Sequence, residues 1–188
     1  MAKSGYQNLI VYQQAVIIYD LTAKFCKNFL SDLKFRRTNE QMIQAARSGK
    51  QNIVEASLER SLKMNIKLTG VSRGSFGELL EDYKDFLRTN NLSLWDKDSE
   101  RLAPIRQMRI GDGANLSNGT NWSNWTNNPE RFCNLMITLV SKENYLLDKM
   151  IKSLEEKFVR EGGYSENLTA KRVDYKKKNA SSWLSRNW

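Results

Sequence analysis

The chain has 188 residues, 40% of them hydrophobic and 27% charged, with a formal net charge of +9 and no histidine. That length holds one domain with an appended segment and leaves little room for two. Without an imidazole there can be no Ser-His-Asp triad, histidine-containing zinc site, phosphorelay histidine or Glu-x-x-His di-iron pair.

The basic balance favours a polyanionic partner such as nucleic acid over an acidic protein or a neutral metabolite. No stretch approaches the roughly 20 consecutive apolar residues of a membrane span, and Met1 to Asn8 carry no signal-peptide pattern. A soluble cytoplasmic protein without membrane contact is therefore expected. In that compartment the N-x-S/T triplets at Asn91, Asn115, Asn118, Asn121, Asn124, Asn167 and Asn179 mark Asn-rich loops and not glycosylation. Cys26 and Cys133 lie far apart, each among apolar neighbours on a helical pattern. They are expected to be buried thiols, with no metal and no cofactor.

In the first segment, roughly 6–30, Val11, Ala15, Ile18, Phe25 and Phe29 recur at the three-, four- or seven-residue spacing of one helix face. Ile10, Ile17 and Leu21 form a second stripe, and Tyr12, Tyr19 and Cys26 a third. More of this circumference is apolar than one core should cover, which predicts subunit contacts. Ser31 to Arg37 reads as a connector. The second helix, about 38–60, is expected to start at Thr38 as N-cap, with Gln41 at capping-box spacing. Its core stripe is Met42, Ala46, Gly49, Ile53 and Ala56, of which Ala46, Gly49 and Ala56 are too small to fill an ordinary gap between helices, so a neighbouring backbone must come close.

The third helix, about 64–88, contains "TGVSRGSFGELLEDYKDFL". Leu68, Val71, Phe76, Leu79, Tyr83 and Phe86 supply its bulk. Gly70, Gly74 and Gly77 are expected to meet the backbone of another helix, since the G-x-x-x-x-G-K-[ST] pattern of a phosphate loop is missing. Over 90–128 the helical signal lapses, with a short helix interrupted at Pro104 and then "GDGANLSNGTNWSNWTNNP". Its Trp122 and Trp125 either pin the loop to the protein, the preferred reading, or stack on bases beside a cationic groove.

The fourth helix, about 129–160, starts at Pro129, where the missing N–H does no harm, and carries the stripe Phe132, Met136, Val140, Leu147, Ile151, Leu154 and Phe158. Gly162 and Gly163 end it. Ser165 and Glu166 look like another helix start. Six basic and two acidic residues lie between Gly162 and Trp188, so four of the nine net positive charges sit in this suffix.

"QMIQAARSGKQNIVEAS" followed by "KLTGVSRGSFGELLEDYKDFL" resembles the four-helix-bundle proteins encoded in intervening sequences of bacterial large-subunit ribosomal RNA genes. That superfamily includes the accessory variability protein of diversity-generating retroelements. "NYLLDKMIKSLEEKFVREGGYSENLTAKR" is similar to the branch with a suffix domain. The chain departs at Ala56, where the broader family has glycine. The resemblance implies an all-α, up-down-up-down four-helix bundle over 1–161, with a long loop at 90–128 and a short C-terminal helical suffix at 162–188. It further implies a ring-shaped homopentamer without catalytic activity, similar to an adaptor that binds a reverse transcriptase and nucleic acid.

Candidate nucleic-acid contacts are Arg36 and Arg37 in the connector, Arg47 and Lys50 beside the small-residue stripe, and Lys171, Arg172, Lys176, Lys177 and Lys178 in the suffix. A protein-interaction scaffold is the alternative: Glu78, Glu81, Asp82 and Asp85, with Lys84 and Arg88 interspersed, form an acidic ladder for a basic partner. An enzyme is the third class, with Glu55, Glu78 and Asp82 as a magnesium site.

Overall fold

A computed structural model describes residues 5–107 and 123–184, with side chains at 5–107 and 124–179. Among the described residues the protein is all-helical, with no strand. The helices are α1 (Ile10–Phe29), α2 (Arg36–Leu58), α3 (Leu62–Thr89), the short α4 (Ala103–Gln107) and α5 (Ser123–Thr126), α6 (Pro129–Glu161) and α7 (Tyr164–Leu184). Helix α1 packs on α2, α2 on α3, α3 on α6, and α6 back on α1. None of these helices is long and apolar enough to cross a membrane.

The core is centred on Phe25. Its ring lies 5.2 Å from Phe29, 5.0 Å from Tyr83, 5.0 Å from Phe86 and 5.3 Å from Phe132, mostly edge to face, as the ring quadrupole favours. Tyr83 is fully buried, and its hydroxyl donates to Thr22 Oγ1 at 3.0 Å, so the phenol keeps a partner inside the apolar cluster. Cys26 and Cys133 are buried free thiols. Burial pushes the Cys26 thiol up to about 12 and raises Cys133 as well, which removes the reactive thiolate.

The apolar excess on α1 is absorbed within the chain. Val11, Ala15, Ile17, Ile18, Leu21, Phe25 and Cys26 are all buried, Tyr12 and Tyr19 are half-buried, and Ile10 stays exposed. Helices α2 and α6 flank α1 on two sides and cover stripes that one neighbour would have left bare. Subunit contacts are thus not needed to explain its composition. The carbonyl of Leu30, the residue that caps the end of α1, is satisfied from α2, where Asn39 Nδ2 donates to it at 3.0 Å.

Helix α2 begins at Arg36 and not at Thr38. The 3-10 turn Leu33–Phe35 delivers the chain in helical geometry, so no side chain caps the start and Thr38 lies exposed inside the helix. Gly49 does permit close approach, but to a ring: a Cβ there would lie 2.6 Å from Phe76 Cζ. Beside it, Ser72 Oγ donates to Gly49 O at 2.8 Å, and Ser75 Oγ to Ser48 Oγ at 3.0 Å. The small residues of α3 at this contact are therefore serines. Gly70 and Gly74 have nothing within 4 Å of a built Cβ, and Gly77 meets only the Arg73 guanidinium at 3.5 Å. Helical phase explains the correction: Ser72, Phe76, Leu79 and Tyr83 share the buried face, which turns Gly70 and Gly74 outward.

Pro104 sits in the first turn of α4 instead of interrupting it. Asn128 caps α6, accepting from Arg131 N at 3.0 Å, and Pro129 follows as its first residue. Gly162 ends α6 at φ 73°, with its N–H donating to Phe158 O at 2.9 Å. The suffix is longer than expected: α7 runs 21 residues from Tyr164, and every residue from Tyr164 to Lys178 is exposed.

Candidate nucleic-acid interface

The candidate cations divide between two helices. Arg36, Arg37 and Arg47 are exposed on α2, and Lys50 is half-buried there. Arg36 is already engaged: its Nε donates to Glu40 Oε1 at 2.9 Å, which raises its pKa. Lys50 Nζ lies 4.1 Å from the centroid of the Tyr19 ring, a cation–π contact that ties its head group to α1. Arg37 lines an open groove of about 620 Å³ between α2 and α3, and Arg47 faces solvent.

Lys171, Arg172, Lys176, Lys177 and Lys178 are all exposed on α7, and none forms an ion pair among the described residues. Helix α7 joins none of the principal helix packings. One face carries Tyr164, Leu168 and Tyr175, all largely exposed, beside Lys171 and Arg172. The α2 and α7 sets are therefore not merged into one site within a single chain.

The acidic ladder separates into two kinds of carboxylate. Glu81 pairs with Lys84 at 2.8 Å and Asp85 with Arg88 at 2.8 Å. Glu78 and Asp82 form no ion pair among the described residues and line the α2–α3 groove with Gln41, Gln44 and Ser48. Partial burial first, then the charges of Asp85 and Glu78, push the Asp82 carboxyl up. Glu55 is exposed and lies outside this groove, so the three proposed magnesium ligands do not converge. No group of three or more His, Cys, Asp or Glu near enough to hold a metal occurs among the described residues.

Two features were not anticipated. Glu143 is fully buried on α6 with neither carboxylate oxygen hydrogen-bonded among the described residues, and burial drives its pKa well above the usual range. Its only trace in the sequence is the gap between Val140 and Leu147 in the α6 stripe. One turn earlier, the buried Gln14 of α1 donates from Nε2 to Leu139 O at 2.7 Å while its own Oε1 has no partner. The second is the pairing of Trp125 with Trp95, ring centroids 6.4 Å apart. Trp125 is half-buried against the core, as the pinning expectation had it. Trp122 lies outside the described residues, and so does the Trp183 side chain.

These features define a helical protein whose least engaged charged element is a basic terminal helix. No family model, curated protein or solved structure matches the chain.

Proposed function

We propose that the protein is a non-catalytic, oligomeric adaptor that binds nucleic acid through the basic surface of α7, with Arg37, Arg47 and Lys50 of α2 as a second contact. The observation that carries this is α7 itself, which presents five cations on an exposed helix, none of them in an ion pair among the described residues. Cations that make no internal ion pair keep their full charge for phosphate oxygens, and each phosphate they neutralise releases a counterion.

The bundle topology supporting this role is up-down-up-down. Contacts between neighbours run in opposite directions: Tyr19 meets Lys50 while Cys26 meets Asn39, and Gln14 meets Leu139 while Phe25 meets Phe132. Between α2 and α3, Gly49 meets Ser72 and Ser48 meets Ser75, and Arg73 of α3 reaches Asp148 of α6 at 3.0 Å. Following the family resemblance, the assembly is a homopentamer in the cytoplasm and its protein partner is a reverse transcriptase. Ring symmetry would repeat each cationic patch around one axis.

Binding of full-length protein to RNA, single-stranded DNA and duplex DNA across a salt series tests the idea. Log affinity should fall linearly with log salt, with a slope of about 0.9 per phosphate contact on duplex. Affinity that ignores salt, or survives loss of α7 together with neutralised Arg47 and Lys50, would count against it. A protein scaffold is the second reading, favoured by Glu78 and Asp82, which line the α2–α3 groove without an ion pair among the described residues. Recovery of a nuclease-resistant protein partner lost on Glu78→Lys with Asp82→Lys would support it.

A further inference from the structure

We infer that the cleft between the segment joining α3 to α4 (residues 90–102) and the start of α6 is a subsite for one unstacked nucleotide, its base stacking on Trp125 and its phosphate held by Arg101 and Arg131. This rests on the nucleic-acid role proposed above and assigns a place for base contact that α7 does not supply. The cleft encloses about 530 Å³, within the range of small-ligand pockets. Trp95, Arg101, Trp125, Asn128, Glu130 and Arg131 contribute to its walls.

Rigidity distinguishes this cleft from ordinary polar surface. Trp95 Nε1 donates to Glu130 Oε1 at 2.8 Å, and Trp95 N donates to Asn134 Oδ1 at 2.8 Å. Asn134 Nδ2 in turn donates to Ser93 O at 2.9 Å, so the α3–α4 segment is laced to the first turns of α6. The second oxygen of Glu130 accepts from Ser93 N at 3.1 Å. Its hydrogen bonds from Trp95 and then Ser93 hold this carboxyl below the usual range, so it stays an anion committed to the scaffold. Trp125 packs against the indole so fixed, at an interplanar angle of 58°.

The rings are tilted, so a base cannot slide between them as in a sandwich. Arg101 already covers Trp95, its guanidinium carbon 5.3 Å from the ring centroid. Trp125, half-exposed and lining the cleft, is then the ring that no cation covers among the described residues. Neither Arg101 nor Arg131 forms an ion pair among the described residues, so two guanidinium groups flank the platform against one committed carboxylate. A flat π face with adjacent cations matches a nucleobase and its phosphate. In a duplex the base faces are stacked away, so the strand this cleft takes is single.

The test compares full-length protein binding to a labelled single-stranded oligonucleotide and to the same strand with abasic positions, by anisotropy, alongside Trp125→Ala, Trp125→Phe and Arg101→Gln. Loss of one stacked base should weaken binding about 5- to 150-fold, for the abasic strand and for Trp125→Ala alike, while Trp125→Phe retains most of the affinity. Duplex binding should be unchanged in all three variants. Arg101→Gln should lower the salt slope on the single strand by about 0.7. Equal affinity for normal and abasic strands overturns the subsite while leaving α7 as the contact. Wild-type protein that binds neither single strand nor duplex overturns the adaptor role and the subsite together. If Trp125→Ala unfolds, as a circular dichroism melt would show, the abasic comparison on wild-type protein decides alone.

Discussion

Helices α1 and α7 are nearly the same length, 20 and 21 residues, yet they sit at opposite extremes of engagement. Nine residues of α1 are buried, whereas α7 has none from Tyr164 to Lys178. Most helical stability in proteins comes from packing an apolar face, and an isolated helix of this length is marginal in water. Helix α1 is held by its neighbours. Among the described residues helix α7 is held by local devices, such as Glu166 Oε2 accepting from Gly163 N at 2.8 Å and Asn167 Nδ2 donating to Glu161 O at 2.9 Å at its start. A helix with so little internal support is the natural element for a partner to stabilise.

The largest test of that contrast is Phe25→Ala. Removing the ring at the centre of the aromatic cluster should cost about 3–5 kcal/mol, read from urea unfolding. Next comes Glu143→Met, which should stabilise the protein by about 1–3 kcal/mol by removing an unsatisfied buried carboxyl. The same residue sets a pH dependence. Its folded pKa is raised, so above the unfolded carboxyl value of about 4.3 the native state keeps a proton that the unfolded chain has released. Stability should therefore fall as pH rises through that window, and Glu143→Gln should flatten the slope.

Smaller again, Gly70→Ala and Gly74→Ala should each add about 1 kcal/mol, since alanine favours helix and nothing crowds either position. A loss in place of that gain would mean that another chain covers the bare backbone, which analytical ultracentrifugation of the variants would reveal. Smallest of all, deletion of α7 should shift bundle stability by no more than about 0.5 kcal/mol, measured by thermal melting. A large destabilisation would show that α7 is packed in solution.

Features set by local periodicity were readable from the sequence. The four long helices, the Pro129 start, the glycine stop at Gly162 and the buried thiols follow from spacing and from single-residue stereochemistry. The start of α2 was not, because the turn at Leu33–Phe35 supplies the helical geometry that a Thr38 cap would otherwise have had to initiate. The glycines of α3 misled because any small residue suits a close helix contact, and only the phase of the buried face showed that Ser72 and Ser75 fill that role. Glu143 was hidden because a buried acid looks like a solvent-facing one in a stripe that skips it. The Trp95–Trp125 pair joins distant parts of the chain, and no periodicity encodes such a meeting.

Gly162 has a consequence for how the charged arm is aimed. At φ 73° it occupies backbone space that side-chain-bearing residues rarely enter, and an added Cβ would lie 3.0 Å from Glu166 Oε2. The heading of α7 relative to α6 is thus set at the two-residue joint Gly162–Gly163, where Gly162 supplies the left-handed turn. Exchanging that glycine for alanine would leave every lysine and arginine in place while pressing the joint toward a straight rod, so charge content and charge direction can be separated by a single methyl group.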